Sequence, residues 1–296
     1  MRHMNGLGDK IATQLFKMQK SRRHLRFANC LATSYYWVVT VAVVYTVLFV
    51  SMPVVYKDEI YESRKTFHTY VFIFSVVNMI SNYLLCMFHN SSYQARSPDP
   101  VPKTWHHCIT CQQHAPPRAH HCPICGYCVL KREEHCFFIG RCIGYYNHRN
   151  FIVYNFYVAV ASIYGMVYAA MFLHYTYGAF FYGDTAFTYL LPFAILSWMF
   201  GSMPSSVFGI VFLMYICVMT FVMGIGLFIW NMIIAYEGQT RHEAIHDIRG
   251  INYNSWENYR ETFGKNWLLC FLIPSCTSLQ GDGINWSTPK KNIKGI

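Results

Sequence analysis

The sequence predicts an α-helical integral membrane protein: four transmembrane helices, with a cytosolic, loop-rich, two-zinc cysteine-rich domain between the second and third. Three observations carry this reading. Hydrophobic residues make up 54% of the 296 and charged residues only 13%, against about a quarter charged in an average soluble domain. Four stretches of more than twenty residues are almost free of charge. Seven of the twelve cysteines fall between residues 108 and 142.

The four apolar stretches are Tyr35 to Tyr56, Phe67 to Phe88, Phe151 to Leu173 and Val207 to Ala235, each long enough for a ~30 Å hydrocarbon core. The residues ahead of the first are too polar and basic for a cleaved leader, so span one is expected to stay. Lys and Arg set the orientation. Residues 1–26 carry seven and 89–150 carry seven, whereas 174–206 carry none and 57–66 carry three offset by three acids. The division that follows is a cytosolic basic N-terminus (1–30), spans one and two (31–89), a cytosolic zinc-binding segment (90–150), spans three and four with an apolar luminal loop (151–236) and a cytosolic tail (237–296). Ala186 to Phe200 is uncharged but short for a full span and broken by Pro192, so it is either a re-entrant or interfacial piece or a crossing that would put the tail on the opposite side. The sequons at Asn90 and Asn285 are expected to stay unmodified on the cytosolic side. SPDPVP at 97–102 is stiff and turn-forming.

The net charge of +10 is better explained by anionic lipid than by nucleic acid, because the basic residues flank the spans. No nucleic-acid partner is expected.

The cysteines are spaced Cys108-x2-Cys111, His121-Cys122-x2-Cys125-x2-Cys128, His135-Cys136 and Cys142. In a reducing compartment this spacing points to zinc rather than disulfides: each C-x2-C knuckle turns two thiolates toward one tetrahedral ion. Seven cysteines with His121 and His135 make nine candidates, while two sites need eight. Counting alone does not say which is left over.

CITCQQHAPPRAHHCPICGYCVLKREEHCFFIGRCIGYYN resembles the cysteine-rich domain of the DHHC family of protein S-acyltransferases. Asp99-Pro100-Val101 is similar to that family's DPG motif, Gln239-Thr240-Arg241-His242-Glu243 stands where its TTxE motif is expected, and Asn147 and Phe151 fall in their places. Gly281-Asp282-Gly283-Ile284 resembles one small branch. The resemblance implies two structural Zn2+ ions, one on Cys108, Cys111, His121 and Cys128, the other on Cys122, Cys125, His135 and Cys142. It leaves Cys136 as the nucleophile that takes a palmitoyl group from palmitoyl-CoA and passes it to membrane-proximal cysteines of protein substrates. An endoplasmic reticulum or Golgi membrane is the implied location.

Where the family has Asp-His-His-Cys, this chain has Glu133-Glu134-His135-Cys136, followed by Phe137 in place of proline. The resemblance assigns the missing histidine the role of general base and the missing aspartate that of orienting it. Carboxylates beside a thiol oppose the thiolate. Lys131, Arg132 and Arg141 could offset this, and with Arg149 they are candidates for the CoA phosphates. Glu134 could itself accept the proton if burial raised its pKa. At the position of the second TTxE threonine stands Arg241, which either forms an ion pair with Glu133 that docks the segment after span four onto the zinc domain, or points at lipid phosphates. Two functions follow: an acyltransferase acting through a Cys136 thioester, or a catalytically weak or inactive member acting as a membrane adaptor.

Overall fold

The structure, a computed structural model, describes residues 22–94, 98–178, 186–248, 255–274, 279 and 281–286. Most of the basic N-terminus, Ser97 of the turn-forming stretch and Ser287 of the second sequon lie outside the described residues.

Among the described residues, four helices are long and apolar enough to cross a membrane: His24–Val55, Glu59–Phe88, His148–Tyr177 and Ser205–Glu237. The first is composite. Helix α1 (Arg22–Tyr45) widens into a π turn (Thr46–Ser51) before the short α2 (Met52–Val55). Pro53, which has no N–H and crowds the preceding turn, follows that widening directly. Helix α3 (Glu62–Phe88) and the central α4 (His148–Tyr177) lie side by side, and α4 packs along α6 (Ser205–Glu237). Small residues allow the approach of α4 and α6: a Cβ added at Gly165 would meet Cys217 Sγ at 2.6 Å, and one at Gly224 would meet Val158 at 3.1 Å. With no solvent to drive helices together in lipid, such contacts and interhelical hydrogen bonds hold the bundle. Asn150 Nδ2 donates to Asn82 Oδ1 at 3.1 Å, and His148 Nε2 lies 2.9 Å from Asn231 Oδ1.

The stretch around Pro192 forms a short helix, α5 (Leu191–Met199). Nine residues rise only about 13 Å, too little to cross. Instead Ala194 packs with Leu173, Val207 and Val211 as a cap on spans three and four. The N-terminal half of α1, the end of α3, the start of α4 and the end of α6 therefore share one end of the bundle, where the cysteine-rich segment sits.

That segment is built of paired short strands: β1 (Ser92–Tyr93), β2 (His106–Cys108), β3 (Gln113–Ala115), β4 (His120–Cys122), β5 (Tyr127–Val129), β6 (Glu134–Cys136) and β7 (Arg141–Ile143). They form one three-stranded sheet, β1-β5-β4, and two hairpins, β2-β3 and β6-β7. Asn147, fully buried, joins this domain to the bundle. Its Nδ2 donates to the carbonyls of Cys86 on α3 and Cys142 on β7, both at 3.1 Å, while its Oδ1 accepts the Gly144 N–H at 2.8 Å. Beyond span four lie α7 (Arg241–Ile245), α8 (Ser255–Phe263) and α9 (Leu269–Leu272). Helix α7 starts in a capping box, with Thr240 and Glu243 bonding each other's backbone N–H, as a T-x-x-E sequence favours.

Candidate functional site

Strand register explains how the cysteines and histidines meet. His121 pairs across from Cys128 in β4-β5, and His135 across from Cys142 in β6-β7. Each hairpin thus brings one histidine and one thiol together. The knuckles supply the rest: the Cys111 and Cys125 N–H groups each donate to the sulfur three residues back, at 3.4 Å. Gly126 turns the second knuckle at φ 83°, and Gln112 occupies the same position in the first at φ 53°.

Two groups result, Cys108, Cys111, His121 and Cys128, and Cys122, Cys125, His135 and Cys142. Cys111 Sγ lies 3.1 Å from His121 Nδ1 and 3.7 Å from Cys128 Sγ. Cys125 Sγ lies 3.3 Å from His135 Nδ1 and 3.6 Å from Cys142 Sγ. Zn–S bonds of ~2.3 Å and Zn–N bonds of ~2.0 Å in a tetrahedron put ligand atoms about 3.5–3.8 Å apart, so the donor sets fit zinc. The second group has an outer partner: His135 Nε2 lies 3.2 Å from Asn29 Oδ1 on α1. That bond leaves Nδ1 as the metal-facing nitrogen.

Cys136, the ninth candidate, stands outside both groups. It is among the residues lining an apolar cavity of about 220 Å3 that draws on all four spans, including Tyr36, Met79, Phe151, Ser162 and Met223. From Phe151 to Ser162 the lining follows α4 for about 16 Å. The loop after Cys136 is fixed by two hydroxyls, Thr33 Oγ1 and Tyr83 Oη, which donate to the Phe138 carbonyl at 3.1 and 3.0 Å. Burial pushes the Cys136 thiol up, and the backbone N–H groups of Ile139 and Phe138, directed at the sulfur, draw it back.

The acidic pair differs from expectation. Arg241 does not form an ion pair with Glu133. Its guanidinium meets Glu134, and it is the Arg241 backbone N–H that donates to Glu133 Oε2, at 2.7 Å. The reason is the capping box: at the first helical position the free N–H points inward to the buried carboxyl, while the side chain swings out to the partly exposed one. Burial pushes Glu133 up to about 7, opposed by Lys131 and the Arg241 N–H. Along β6 the two-residue period places Glu134 and Cys136 on one face and His135 on the other.

Two of the four cations considered for CoA phosphates are committed elsewhere. Lys131 is 2% exposed and lies 3.5 Å from Glu261, and Arg149 is 3% exposed. Arg132 and Arg141 are half-buried. Sequence reasoning missed Arg118, whose Nε and Nη2 grip Glu243 at 2.8 and 2.9 Å and whose Nη2 also donates to the Gly238 carbonyl. Arg118 lies within the quoted cysteine-rich stretch, but nothing local to it indicates a partner 125 residues away. Asn29, Thr33 and Tyr83 were likewise missed, being single polar groups in or beside apolar runs.

A four-span bundle capped by two Cys3His groups, with Cys136 among the residues lining an apolar cavity between the spans, defines a class of multi-pass membrane protein with a metal-binding cap. The profile of the DHHC palmitoyltransferase family matches residues 101–248. The chain is 32% identical over 199 residues to "Probable palmitoyltransferase ZDHHC24" of Danio rerio, covering 65% of this chain and 67% of that one. It is 27% identical over 262 residues to "Palmitoyltransferase ZDHHC22" of Homo sapiens, covering 84% and 94%, and 28% identical over 254 residues to the protein of that name in Rattus norvegicus, covering the same shares. The chain belongs to the DHHC palmitoyltransferase family.

Proposed function

We propose that this chain is a protein S-acyltransferase that carries a palmitoyl group from palmitoyl-CoA to cysteines of proteins at the cytosolic face of an endoplasmic reticulum or Golgi membrane. The observation that carries it is the position of Cys136, which lines the cavity running along α4. Burying a long acyl chain there gains about 0.8 kcal/mol per CH2 relative to water and presents the thioester carbonyl to the thiol.

In the first step Cys136 Sγ attacks the thioester carbonyl carbon. A C–S bond forms to the enzyme, the bond to CoA breaks, and the CoA sulfur leaves with the proton that Cys136 gives up. In the second step a substrate thiol attacks the Cys136 thioester, and its proton returns to Cys136. The histidine adjacent to Cys136, His135, is taken up by the second metal group and by Asn29, so among the described residues the base is to be sought elsewhere. Its role falls to the Phe138 and Ile139 N–H groups aimed at the sulfur, to Glu134 on the same face of β6 as proton carrier, and to Arg241, whose charge offsets that of Glu134. Zinc at Cys108, Cys111, His121 and Cys128, and at Cys122, Cys125, His135 and Cys142, would supply folding free energy to the domain. The residues themselves position Cys136.

One observation favours the adaptor reading: the Glu134 carboxylate is already engaged by Arg241. Incubating the purified full chain with a labelled acyl-CoA separates the two. Hydroxylamine-labile label on the wild type and none on Cys136→Ser is the result expected of the enzyme. An unlabelled wild type would leave the adaptor.

A further inference from the structure

The tail residues that the acyl-transfer chemistry does not use dock on the far side of the same machinery. Gly281 N–H donates to Tyr145 Oη at 3.1 Å, and Tyr146 Oη donates to the Asp282 carbonyl at 3.2 Å. Asp282 Oδ1 closes the turn by accepting the Ile284 and Asn285 N–H groups, both at 2.8 Å. Gly283 has φ 70°, and a Cβ there would fall 2.7 Å from the Tyr145 ring. This turn delivers Trp286, whose ring packs edge-on to Tyr145 and lies 4.7 Å from the Arg118 guanidinium carbon and 5.9 Å from Lys131 Nζ.

Both cations are buried and both have left-handed backbone, φ 66° at Arg118 and φ 43° at Lys131. Such conformations persist only where surrounding contacts fix them. From Arg118 the connection is direct. Arg118 holds Glu243, Glu243 caps Thr240, and Arg241 presents its N–H to Glu133 and its guanidinium to Glu134, two residues before Cys136.

We infer that the segment Gly281 to Trp286 is a positioning latch: by seating Trp286 on Arg118 it fixes Thr240–Glu243 against the two acidic residues beside Cys136. Its effect on chemistry rests on the acyltransferase reading, whereas its effect on the Thr240–Glu243 backbone does not.

The test therefore has two readouts on the full-length protein in detergent: hydrogen exchange at the Thr240, Arg241 and Glu243 amides, and the initial rate of acyl-CoA labelling of Cys136. Trp286→Ala is expected to speed exchange at all three and to slow labelling, each by about tenfold, the scale of a lost desolvated cation–aromatic contact. Trp286→Phe should restore both, because the indole Nε1 is buried without a hydrogen-bond partner among the described residues and the ring face makes the contact. Gly283→Val, which ejects the turn from Tyr145 and leaves Trp286 intact, should reproduce Trp286→Ala. Zinc content confirms an intact domain; if Trp286→Ala loses zinc, Gly283→Val decides. Exchange unchanged within about twofold in the deciding variant, or a response to Trp286→Ala without one to Gly283→Val, overturns the latch. A wild type that takes no label but shows the exchange effect refutes the enzyme and keeps the latch.

Discussion

Asn29 on span one and His135 in the second metal group are hydrogen-bonded, Oδ1 to Nε2, at 3.2 Å. A residue at the membrane end of a helix thereby sets the tautomer and tilt of a metal ligand next to Cys136. Outer partners of this kind are worth about 10–100-fold in metal affinity. Asn29→Leu should weaken the second zinc by that factor and leave the first unchanged. Competition with a chromogenic chelator measures both, and equal loss from the two sites would refute the assignment.

The Glu134–Arg241 pair is part-exposed, with side chains 22% and 38% accessible. Such pairs contribute only about 0–1 kcal/mol to stability. Arg241→Gln is therefore expected to leave thermal stability nearly unchanged while slowing acylation of Cys136, since the Glu134 charge is then unopposed. Glu134→Gln placed on top should recover part of the rate. A double-mutant cycle on labelling rates reads the coupling, and a cycle that closes to zero would detach Arg241 from the chemistry.

Ala161 lines the cavity on α4 beside Ser162, well inside the bundle from Phe151. Ala161→Phe should shorten the space for an acyl chain. Preference between long- and medium-chain acyl-CoAs should move by about tenfold or more toward the shorter, the worth of one to two methylenes in an apolar pocket. Competition between two labelled acyl-CoAs measures it, and unchanged selectivity would show that the chain lies elsewhere.

Metal analysis of the purified chain should give two zinc ions. Cys111→Ser and Cys125→Ser should each lower both zinc content and the melting temperature of the cysteine-rich domain, because zinc binding is folding free energy in such sites. One ion or none in the wild type would defeat the zinc assignment.

The spans and the two metal groups were legible because their signals are local and periodic. An uncharged run of twenty residues has few other meanings, and a C-x2-C knuckle encodes its own turn. The stretch near Pro192 was legible as short for a span, but the sequence left both re-entry and crossing open. The Arg241 partner was not, because which carboxylate a guanidinium reaches depends on how a capping box orients one peptide N–H, and the sequence does not specify that rotation. The cavity could not be read either: its lining takes residues from four helices, and no single one of them carries an unusual pattern. Arg118 and Glu243 belong to segments whose proximity arises only after the bundle closes.

The metal groups alternate along the chain, with His121 in one and the adjacent Cys122 in the other. Synthesis from the N-terminus therefore imposes an order. The first group has all its ligands once Cys128 has left the ribosome, and the hairpin that completes it already carries half of the second. The remaining half, His135 and Cys142, emerges just ahead of the helix that begins at His148. The nascent chain can thus finish its metal-binding segment before the third membrane segment arrives, and that segment inserts beside an anchor already set.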